Sequence, residues 1–400
     1  MKRRVSVLLL VLAGLFSTVG LKAQNRPVDH LNATEHFGVT TMFRYSYRNW
    51  IAGDKAEKGS LNFDSFRLWA QTDVNKKVFA AVQFRFYEGW QTPTHLFVGW
   101  HIDKKNTIQL GQTWVPFGIG YQPYDDWGNI AFYVGLQDDY DYGITWEGNY
   151  GLFKFNAGFF KNQQLSSSSP FRYDADIFSG GVSGDYLITS QKNNEEVNQF
   201  NARLEILPSG DNWNASFGLS GMAGQIYNKT TDDIGSRYAA AVHAGIDFKN
   251  FHFNVQQTWY NYTQVLPDSA TQDQKDFINV SSWAFAYEIP VQASIFTTAA
   301  QYNIIGDKLS VYGSYSYLWG GTSQAESQLL TFGVSSLWER FDIYAEGYYG
   351  ANDPQLSGST TGYGRNSGSY DFRFDVRFFY KLSIISDKTI KKLKEILKKE

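Results

Sequence analysis

Apolar and polar side chains alternate with a period of two residues through most of this chain, and this pattern limits the fold more than any other feature. Successive side chains of a β-strand point to opposite faces, so the pattern predicts strands. The segment Tyr370 to Lys381 shows it best: aromatic residues crowd both ends of its apolar face. Such a face is typical of a strand that meets lipid between two interfacial girdles, and not of the aliphatic core of a soluble sandwich.

Seventeen segments carry this alternation. A closed bacterial barrel has an even number of strands, so one assignment must fail, and we expect the failure between Ile278 and Ile304. About 16 strands remain. The candidate segments are 37–50, 62–72, 78–86, 96–102, 107–113, 140–146, 152–161, 197–207, 213–227, 237–248, 251–263, 278–288, 296–304, 309–319, 328–338, 341–350 and 370–381.

The connections between these segments alternate in length. Short polar links such as 103–106 and 208–212 alternate with longer ones such as 87–95, 115–139 and 162–196. Short periplasmic turns on one rim and long extracellular loops on the other are typical of transmembrane barrels. The sequence therefore predicts an all-β fold, a transmembrane antiparallel β-barrel of about 16 strands.

The two ends of the chain differ from this body. Residues 1–23 combine a basic start, a short apolar stretch and Ala23 before Gln24, which predicts a cleaved signal peptide. No later stretch approaches the roughly 20 apolar residues of a membrane helix, so the exported protein is expected to be periplasmic, surface-exposed, secreted or an outer-membrane barrel. We expect an N-terminal periplasmic segment at 24–36, the β-barrel at 37–382 and a basic tail at 383–400. Ser386 can cap a short amphipathic C-terminal helix in that tail, which would meet lipid headgroups or a periplasmic or cell-wall partner; simple disorder is the alternative.

Charge and cysteine content exclude several classes of protein. The net charge is −3; residues 1–23 contribute +4 and residues 383–400 contribute +3, so the body carries −10. An acidic body excludes nucleic acid as a partner, because a duplex binder needs a basic footprint. The chain has no cysteine, which excludes disulfides and cysteine enzymes.

Six arginines fall on the inward face of neighbouring strands. If the barrel closes by pairing its last strand with its first, these side chains line one sector of the wall. We call them the arginine sector: Arg44, Arg48, Arg67, Arg85, Arg373 and Arg377. A cationic stripe would attract anions or set a transverse field. A lattice of arginine and carboxylate that only ties the wall together, with Asp371 and Asp375, is the alternative, and the two are compatible.

The segment 115–139 is too long and too rich in aromatic residues for a plain turn. We expect it to fold into the barrel as a constriction loop, with Asp125 and Asp126 facing the arginine sector. An exposed surface loop is the alternative. The constriction loop residues are Pro116, Phe117, Tyr124, Asp125, Asp126 and Trp127.

Residues 110–118, LGQTWVPFG, resemble the strand-to-loop motif of the phosphate-selective porin O and P family, with GQ followed by PFG. The hairpin Phe66–Phe86 and the closing strand Phe374–Tyr380 are similar to family elements as well. The resemblance implies a 16-stranded trimeric passive channel. Anion-selective members have basic lumens, whereas acidic residues such as Asp125 and Asp138 lie near the expected constriction here, so phosphate selectivity is not carried over.

Enzyme signatures are not found. His243 and Asp247 share a strand face, but no nucleophile motif, phosphate loop or dinucleotide fingerprint accompanies them, so a lumen histidine paired with a carboxylate is expected. The acidic pairs Asp138–Asp139 and Asp232–Asp233 lie in predicted loops; solvated charge is expected there, with weak divalent-cation binding as the alternative. We expect no cofactor, no metal and no enzymatic activity.

These observations together predict an outer-membrane porin. Small hydrophilic solutes or ions would pass down their gradients, with outer-membrane lipid and a homotrimer as the structural partners. A non-conducting barrel that serves as an adhesin, assembly factor or complex subunit is the alternative, and a soluble glycan-binding β protein is a more distant one.

Overall fold

The computed structural model describes residues 35–119, 128–182, 191–338, 340–356 and 360–386, together with Thr389 and Lys391. None of the described helices is long and apolar enough to cross a membrane. The elements run in the order β1 (Glu35–Arg48), α1 (Ala52–Glu57), β2 (Ser60–Asp73), β3 (Val78–Tyr87), β4 (Trp90–His101), β5 (Asn106–Trp114), α2 (Ile130–Tyr133), β6 (Tyr140–Tyr150), β7 (Phe153–Asn162), β8 (Asp176–Ile177), β9 (Asn194–Ile206), β10 (Ser209–Gly210), β11 (Trp213–Asn228), β12 (Asp233–Phe248), β13 (Phe251–Thr263), α3 (Gln272–Asp276), β14 (Phe277–Ser282), β15 (Phe285–Pro290), β16 (Gln292–Ile305), β17 (Leu309–Trp319), β18 (Ser327–Leu337), β19 (Phe341–Ala351) and β20 (Tyr370–Ser386).

Sixteen of the described strands form a closed ring in which every neighbour is antiparallel. The ring closes because β1 pairs with β2 on one side and with β20 on the other. The two-residue β10 adds to β11 inside a turn, and β8, β14 and β15 form a separate small sheet. The predicted 16-stranded transmembrane barrel is confirmed.

Burial on the barrel wall is reversed relative to a soluble protein. Outward side chains are apolar and exposed, for example Leu110 at 63% and Phe200 at 61%, whereas inward charged side chains such as Asp375 are fully buried. Large exposed apolar surface of this kind needs a nonaqueous solvent. The outer face of the ring is therefore the face that contacts hydrocarbon.

The suspected error between Ile278 and Ile304 is confirmed. This stretch holds a single wall strand, β16, and the preceding segment 278–288 is not part of the wall. It forms the hairpin β14–β15, which turns at Trp283 and Ala284 in the left-handed region (φ 46° and 63°). Every residue of β14 is buried, because the hairpin lies inside the barrel and has no lipid-facing side.

Several predicted boundaries shift. The connection after β3 is only the two residues 88–89, because β4 begins at Trp90 rather than near Leu96. The first and last wall strands extend beyond the predicted limits of 37 and 382, to Glu35 and Ser386. The predicted signal peptide and the constriction residues Tyr124, Asp125, Asp126 and Trp127 lie outside the described residues.

The basic tail also lies outside the described residues, apart from Ser386, Thr389 and Lys391 and the strand residues 383–385. The Ser386 hydroxyl accepts a hydrogen bond from the Thr389 backbone N–H at 3.3 Å, as the predicted cap would. The amphipathic helix itself stays a prediction.

Candidate functional site

Four long loops on one rim of the barrel fold back into the lumen. We call their described parts the luminal plug. It consists of loop 3 (115–119 and 128–139), loop 4 (163–182 and 191–193), the hairpin β14–β15 of loop 6, and loop 8 (352–356 and 360–369). The seven connections of the opposite rim are short turns. The candidate site is therefore the lumen between the plug and the inner face of the wall.

Loop 3 crosses the lumen from the wall strand that carries it. The loop leaves strand β5 and reaches strand β17, which lies eight strands away in either direction round the ring. There the Ser316 hydroxyl accepts a hydrogen bond from the Ile130 N–H at 3.2 Å. On the way, the Gly118 N–H donates to the Ser220 hydroxyl at 3.0 Å, and Arg203 Nε donates to the Gly118 carbonyl at 2.6 Å. The described part of this segment lies inside the barrel, and its role as a constriction loop stays a prediction.

A small apolar core holds the plug together. The four residues of α2, Ile130–Tyr133, are buried, and the Asn129 side chain caps the helix by accepting from the Ala131 N–H at 2.8 Å. The Tyr133 ring stacks on Tyr363 of loop 8, and the Tyr287 hydroxyl of β15 donates to the Tyr133 carbonyl at 2.7 Å. Three loops distant in sequence therefore share one core inside the barrel.

Glu288 on β15 links the same loops through charge. Its carboxylate accepts from Lys192 Nζ of loop 4 at 3.2 Å and from Arg365 Nε of loop 8 at 3.0 Å. Its backbone N–H donates to the Thr361 carbonyl at 2.8 Å. Burial lowers the pKa of Lys192, with the Glu288 carboxylate acting in the opposite direction. The plug is thus tied by ion pairs as well as by apolar contact.

The arginine sector is assembled by the register of three neighbouring strand pairs. Arg44 on β1 is the direct partner of Arg377 on β20, and Arg48 is the partner of Arg373. Arg67 on β2 is likewise the partner of Arg85 on β3. Closure of the ring therefore brings all six side chains to adjacent strands of one wall, at the positions that alternation assigned.

Four of these arginines pair with carboxylates. Arg44 lies 2.5 Å from Asp64, Arg48 lies 2.7 Å from Asp54 in α1, Arg373 lies 2.6 Å from Asp375 and Arg377 lies 2.5 Å from Glu346. The hydrogen bond and charge of Arg48 lower the pKa of Asp54. Arg67 and Arg85 lie over aromatic rings, 5.5 Å from the centre of Phe379 and 4.1 Å from that of Tyr173.

The described constriction residues, Pro116 and Phe117, are buried in the plug rather than presented to the lumen. Phe117 belongs to the apolar core that contains α2 and Tyr287. These two residues anchor the loop, and the part of the loop that would face the arginine sector is residues 120–127, outside the description.

The structure rearranges the predicted histidine pair. His243 Nε2 lies 3.3 Å from Glu205, while Asp247 pairs with His252 at 2.8 Å. Both pairs lie on the wall strands near the turn rim. The general expectation of a lumen histidine beside a carboxylate holds, but the predicted partner of His243 was wrong.

The expectation of solvated acidic pairs is wrong for Asp138 and Asp139. Both are buried where loop 3 enters β6, 4% and 3% exposed, whereas Asp232, just before β12, and Asp233, its first residue, are exposed. Two arginines that sequence reasoning missed, Arg172 and Arg237, are fully buried beside them. Nothing in the local pattern marks these residues, because the contacts that bury them come from distant loops.

Comparison with known proteins agrees with this geometry at the level of fold. No protein-family model matches the sequence, and no curated protein does. Among solved structures, Salmonella typhi OmpF in complex with daunomycin has a TM-score of 0.55 at 12% identity, covering 88% of this chain and 99% of that one. The fold is that of an outer-membrane porin.

Two further porin structures give the same result. The outer membrane channel DcaP of Acinetobacter baumannii has a TM-score of 0.54 at 12% identity, covering 86% of this chain and 96% of that one. The anion-selective porin from Comamonas acidovorans has a TM-score of 0.52 at 14% identity, covering 86% and 98%. At these identities the likeness is one of architecture, and it does not extend to the chemistry of the lumen.

Proposed function

We propose that this protein is an outer-membrane porin that lets small hydrophilic or charged solutes diffuse passively through a water-filled lumen. The observation that carries the proposal is the closed, polar-lined barrel in which three of the six arginines of the sector are accessible to solvent. The side chains of Arg44, Arg48 and Arg373 are 27%, 38% and 17% exposed, although they face inward. Charged groups on an inner wall are the elements that select ions in pores.

A polar cavity supports a path for solutes beyond the plug. It has a volume of ≈ 500 Å³ and is lined by Ile119 of loop 3 and by residues at the turn-rim ends of β9, β11, β12 and β13, including the exposed apolar side chains of Ile246 and Phe253. Glu205, His243 and Asn254 contribute polar groups to its lining. Water and small solutes would enter it from the turn rim.

The charge balance of the arginine sector argues for weak ion preference. Its six arginines lie beside five wall or loop carboxylates, Asp54, Asp64, Glu346, Asp371 and Asp375. Paired charges attract solutes of either sign less than an unpaired stripe would. We therefore propose a general porin with a slight anion preference.

The finer assignments belong to the same proposal. Membership of the phosphate-selective porin O and P family rests on the segment 110–118, and a homotrimer rests on the trimer form of the similarly folded OmpT of Vibrio cholerae, which has a TM-score of 0.53. The absence of enzymatic activity and the binding of the basic tail to lipid headgroups or to a periplasmic partner are parts of it as well.

Planar-bilayer recording tests the proposal. Purified protein should give discrete conductance steps. In a salt gradient the reversal potential should be close to zero, with the sign that indicates a slightly higher permeability for anions than for cations. The double variant Arg44→Gln with Arg48→Gln should move that potential toward cations. Arg340→Gln, which changes an exposed arginine in a turn outside the sector, should leave it unchanged. Purified, correctly folded protein that stays electrically silent would contradict the proposal.

One observation favours a second candidate, a barrel without open conductance that acts as an adhesin, assembly factor or complex subunit. The apolar core of the plug occupies lumen space that an open porin leaves to water. The same recording separates the two candidates, because a plug that fills the whole cross-section gives no current.

A further inference from the structure

Five aspartates meet inside the barrel where loop 3, β6 and loop 4 join. They are Asp138, Asp139, Asp141, Asp174 and Asp176, and each is at most 4% exposed. Carboxylate oxygens of Asp139, Asp141 and Asp176 all lie within 4.8 Å of one another. We propose that these three carboxylates bind a hard divalent cation, Ca²⁺ in particular, that fastens the luminal plug to the wall.

Some carboxylate oxygens of the cluster have hydrogen-bond partners, and others have none. Asp138 accepts from the hydroxyls of Tyr140 and Tyr173 at 2.8 and 2.7 Å. Within the described residues, neither carboxylate oxygen of the buried Asp139 has a hydrogen-bond partner, and the same holds for one oxygen each of Asp141 and Asp176. Buried oxygens without partners cost free energy, so a convergent set of them needs a ligand.

The charge of the neighbourhood is also unbalanced. Arg172 lies 2.7 Å from Asp176, and Arg237 pairs with Glu196 of β9. Even with Arg85, which lies over the Tyr173 ring, three guanidiniums face six carboxylates. Two positive charges placed among these oxygens would remove most of the deficit.

The donor set indicates the kind of ion. The converging groups are all carboxylates, and oxygen ligands suit Ca²⁺ and Mg²⁺ rather than the softer transition metals. Ca²⁺ accepts irregular arrangements of six to eight oxygens, whereas Mg²⁺ demands a near-ideal octahedron and retains its water. A dry cluster supplied by two distant stretches of the chain, 139–141 and Asp176, therefore fits Ca²⁺ better.

The site would have a structural role. Asp139 ends loop 3, Asp141 begins wall strand β6, and Asp176 lies on β8, which pairs with the hairpin strand β14. One ion would thus connect the wall directly to loop 3 and loop 4, and to the hairpin through the pairing of β8 with β14. Unlike the proposed transport function, this role does not depend on an open conducting path.

Terbium luminescence provides the binding test. The probe is Tb³⁺ added to EDTA-treated protein in detergent free of lipopolysaccharide, which itself binds divalent ions. Tyr140 and Tyr173 lie beside the cluster and should sensitise the Tb³⁺ emission, and Ca²⁺ should compete it away and raise the melting temperature. Asp139→Asn and Asp176→Asn should each weaken binding at least about tenfold, the loss seen even for outer-shell partners.

Two controls keep the test decisive. Asp233→Asn changes an exposed aspartate on β12 and should leave Tb³⁺ affinity unchanged. Without the ion, Asp139→Asn should be at least as stable as the native chain, because it removes one buried negative charge, so a loss of binding would not reflect misfolding. No sensitised emission from the native protein, or an affinity that Asp139→Asn leaves unchanged, would overturn the proposal.

Discussion

The arginine sector and the luminal plug both bury charged groups inside the barrel, but they balance charge differently. On the sector wall, Asp64, Glu346 and Asp375 each lie within 2.6 Å of an arginine. In the plug, carboxylates outnumber their cations, and oxygens of Asp139 and Asp141 have no hydrogen-bond partner within the described residues. Arginines and carboxylates of the sector nearly balance each other, whereas the aspartate cluster has an excess of negative charge that a cation from solution would offset.

This difference follows from how each region is built. Strand register places wall residues opposite fixed partners, so an arginine and its carboxylate can be matched by local pattern. The plug brings together segments more than 100 residues apart, and its charges meet only when the loops have folded. The two regions should therefore respond differently to the same type of substitution.

The largest expected effect on stability is from Arg237→Met on wall strand β12, because this side chain faces the plug and its Nη2 donates a hydrogen bond to the Gly135 carbonyl of loop 3. Removing this fully buried guanidinium leaves Glu196 and the aspartate cluster with less compensation, which should lower the free energy of unfolding by about 3–5 kcal/mol. The matched change Arg48→Met on the sector should cost about 1 kcal/mol or less, because Arg48 is 38% exposed. Denaturant titration followed by gel mobility measures both. Equal losses would remove the distinction between the regions.

Removal of the hairpin should change conductance rather than the barrel. Replacing residues 277–290 by a short Gly-Ser linker deletes β14 and β15, which lie inside the lumen and take no part in the ring. Single-channel conductance should rise at least about twofold, because current grows with the open cross-section of a pore. Heat-modifiable gel migration should persist as evidence that the ring is intact. Unchanged conductance would mean that the hairpin does not obstruct the path.

The smallest expected effect concerns Asp353 in loop 8. Burial raises its pKa from the ordinary 3.8 to about 7, so the folded protein holds this proton where the unfolded chain has lost it. The stabilising contribution is complete below about pH 4 and is lost as the pH rises through 7. Asp353→Asn should narrow the difference in melting temperature between pH 5.5 and pH 8 by about 2–4 °C. If Asp353→Asn leaves the difference in melting temperature between pH 5.5 and pH 8 unchanged, the Asp353 carboxyl is not the source of that difference.

The sequence was sufficient to predict the wall. Alternation located all 16 wall strands, although three of the predicted segments were only seven residues long, and the even-number rule showed that one of the 17 candidates was surplus. Closure by the last strand then placed Arg373 beside Arg48 and Arg377 beside Arg44. These predictions succeed because strand pattern and pairing are local or nearest-neighbour properties.

The interior could not be predicted in the same way. The segment 278–288 alternates like a wall strand, but it contains a turn at Trp283 and Ala284, and each half is only six residues long. Length could not mark it beforehand, because the predicted segment spans eleven residues, more than the seven of the true wall segments 96–102, 107–113 and 140–146. The burial of Asp139, Arg172 and Arg237 depends on contacts between distant loops, which a single sequence does not display.

The accessibility of introduced thiols tests most directly whether the lumen holds a packed plug beside a water-filled path. The chain has no native cysteine, so only the introduced thiol can react. A cysteine introduced by Arg48→Cys in the arginine sector should react quickly with a charged methanethiosulfonate reagent and reduce the current in a bilayer. One introduced by Ala131→Cys in the buried helix α2 should not react while the barrel is folded. Fast reaction at both positions, or at neither, would contradict a barrel with a packed plug beside a water-filled path.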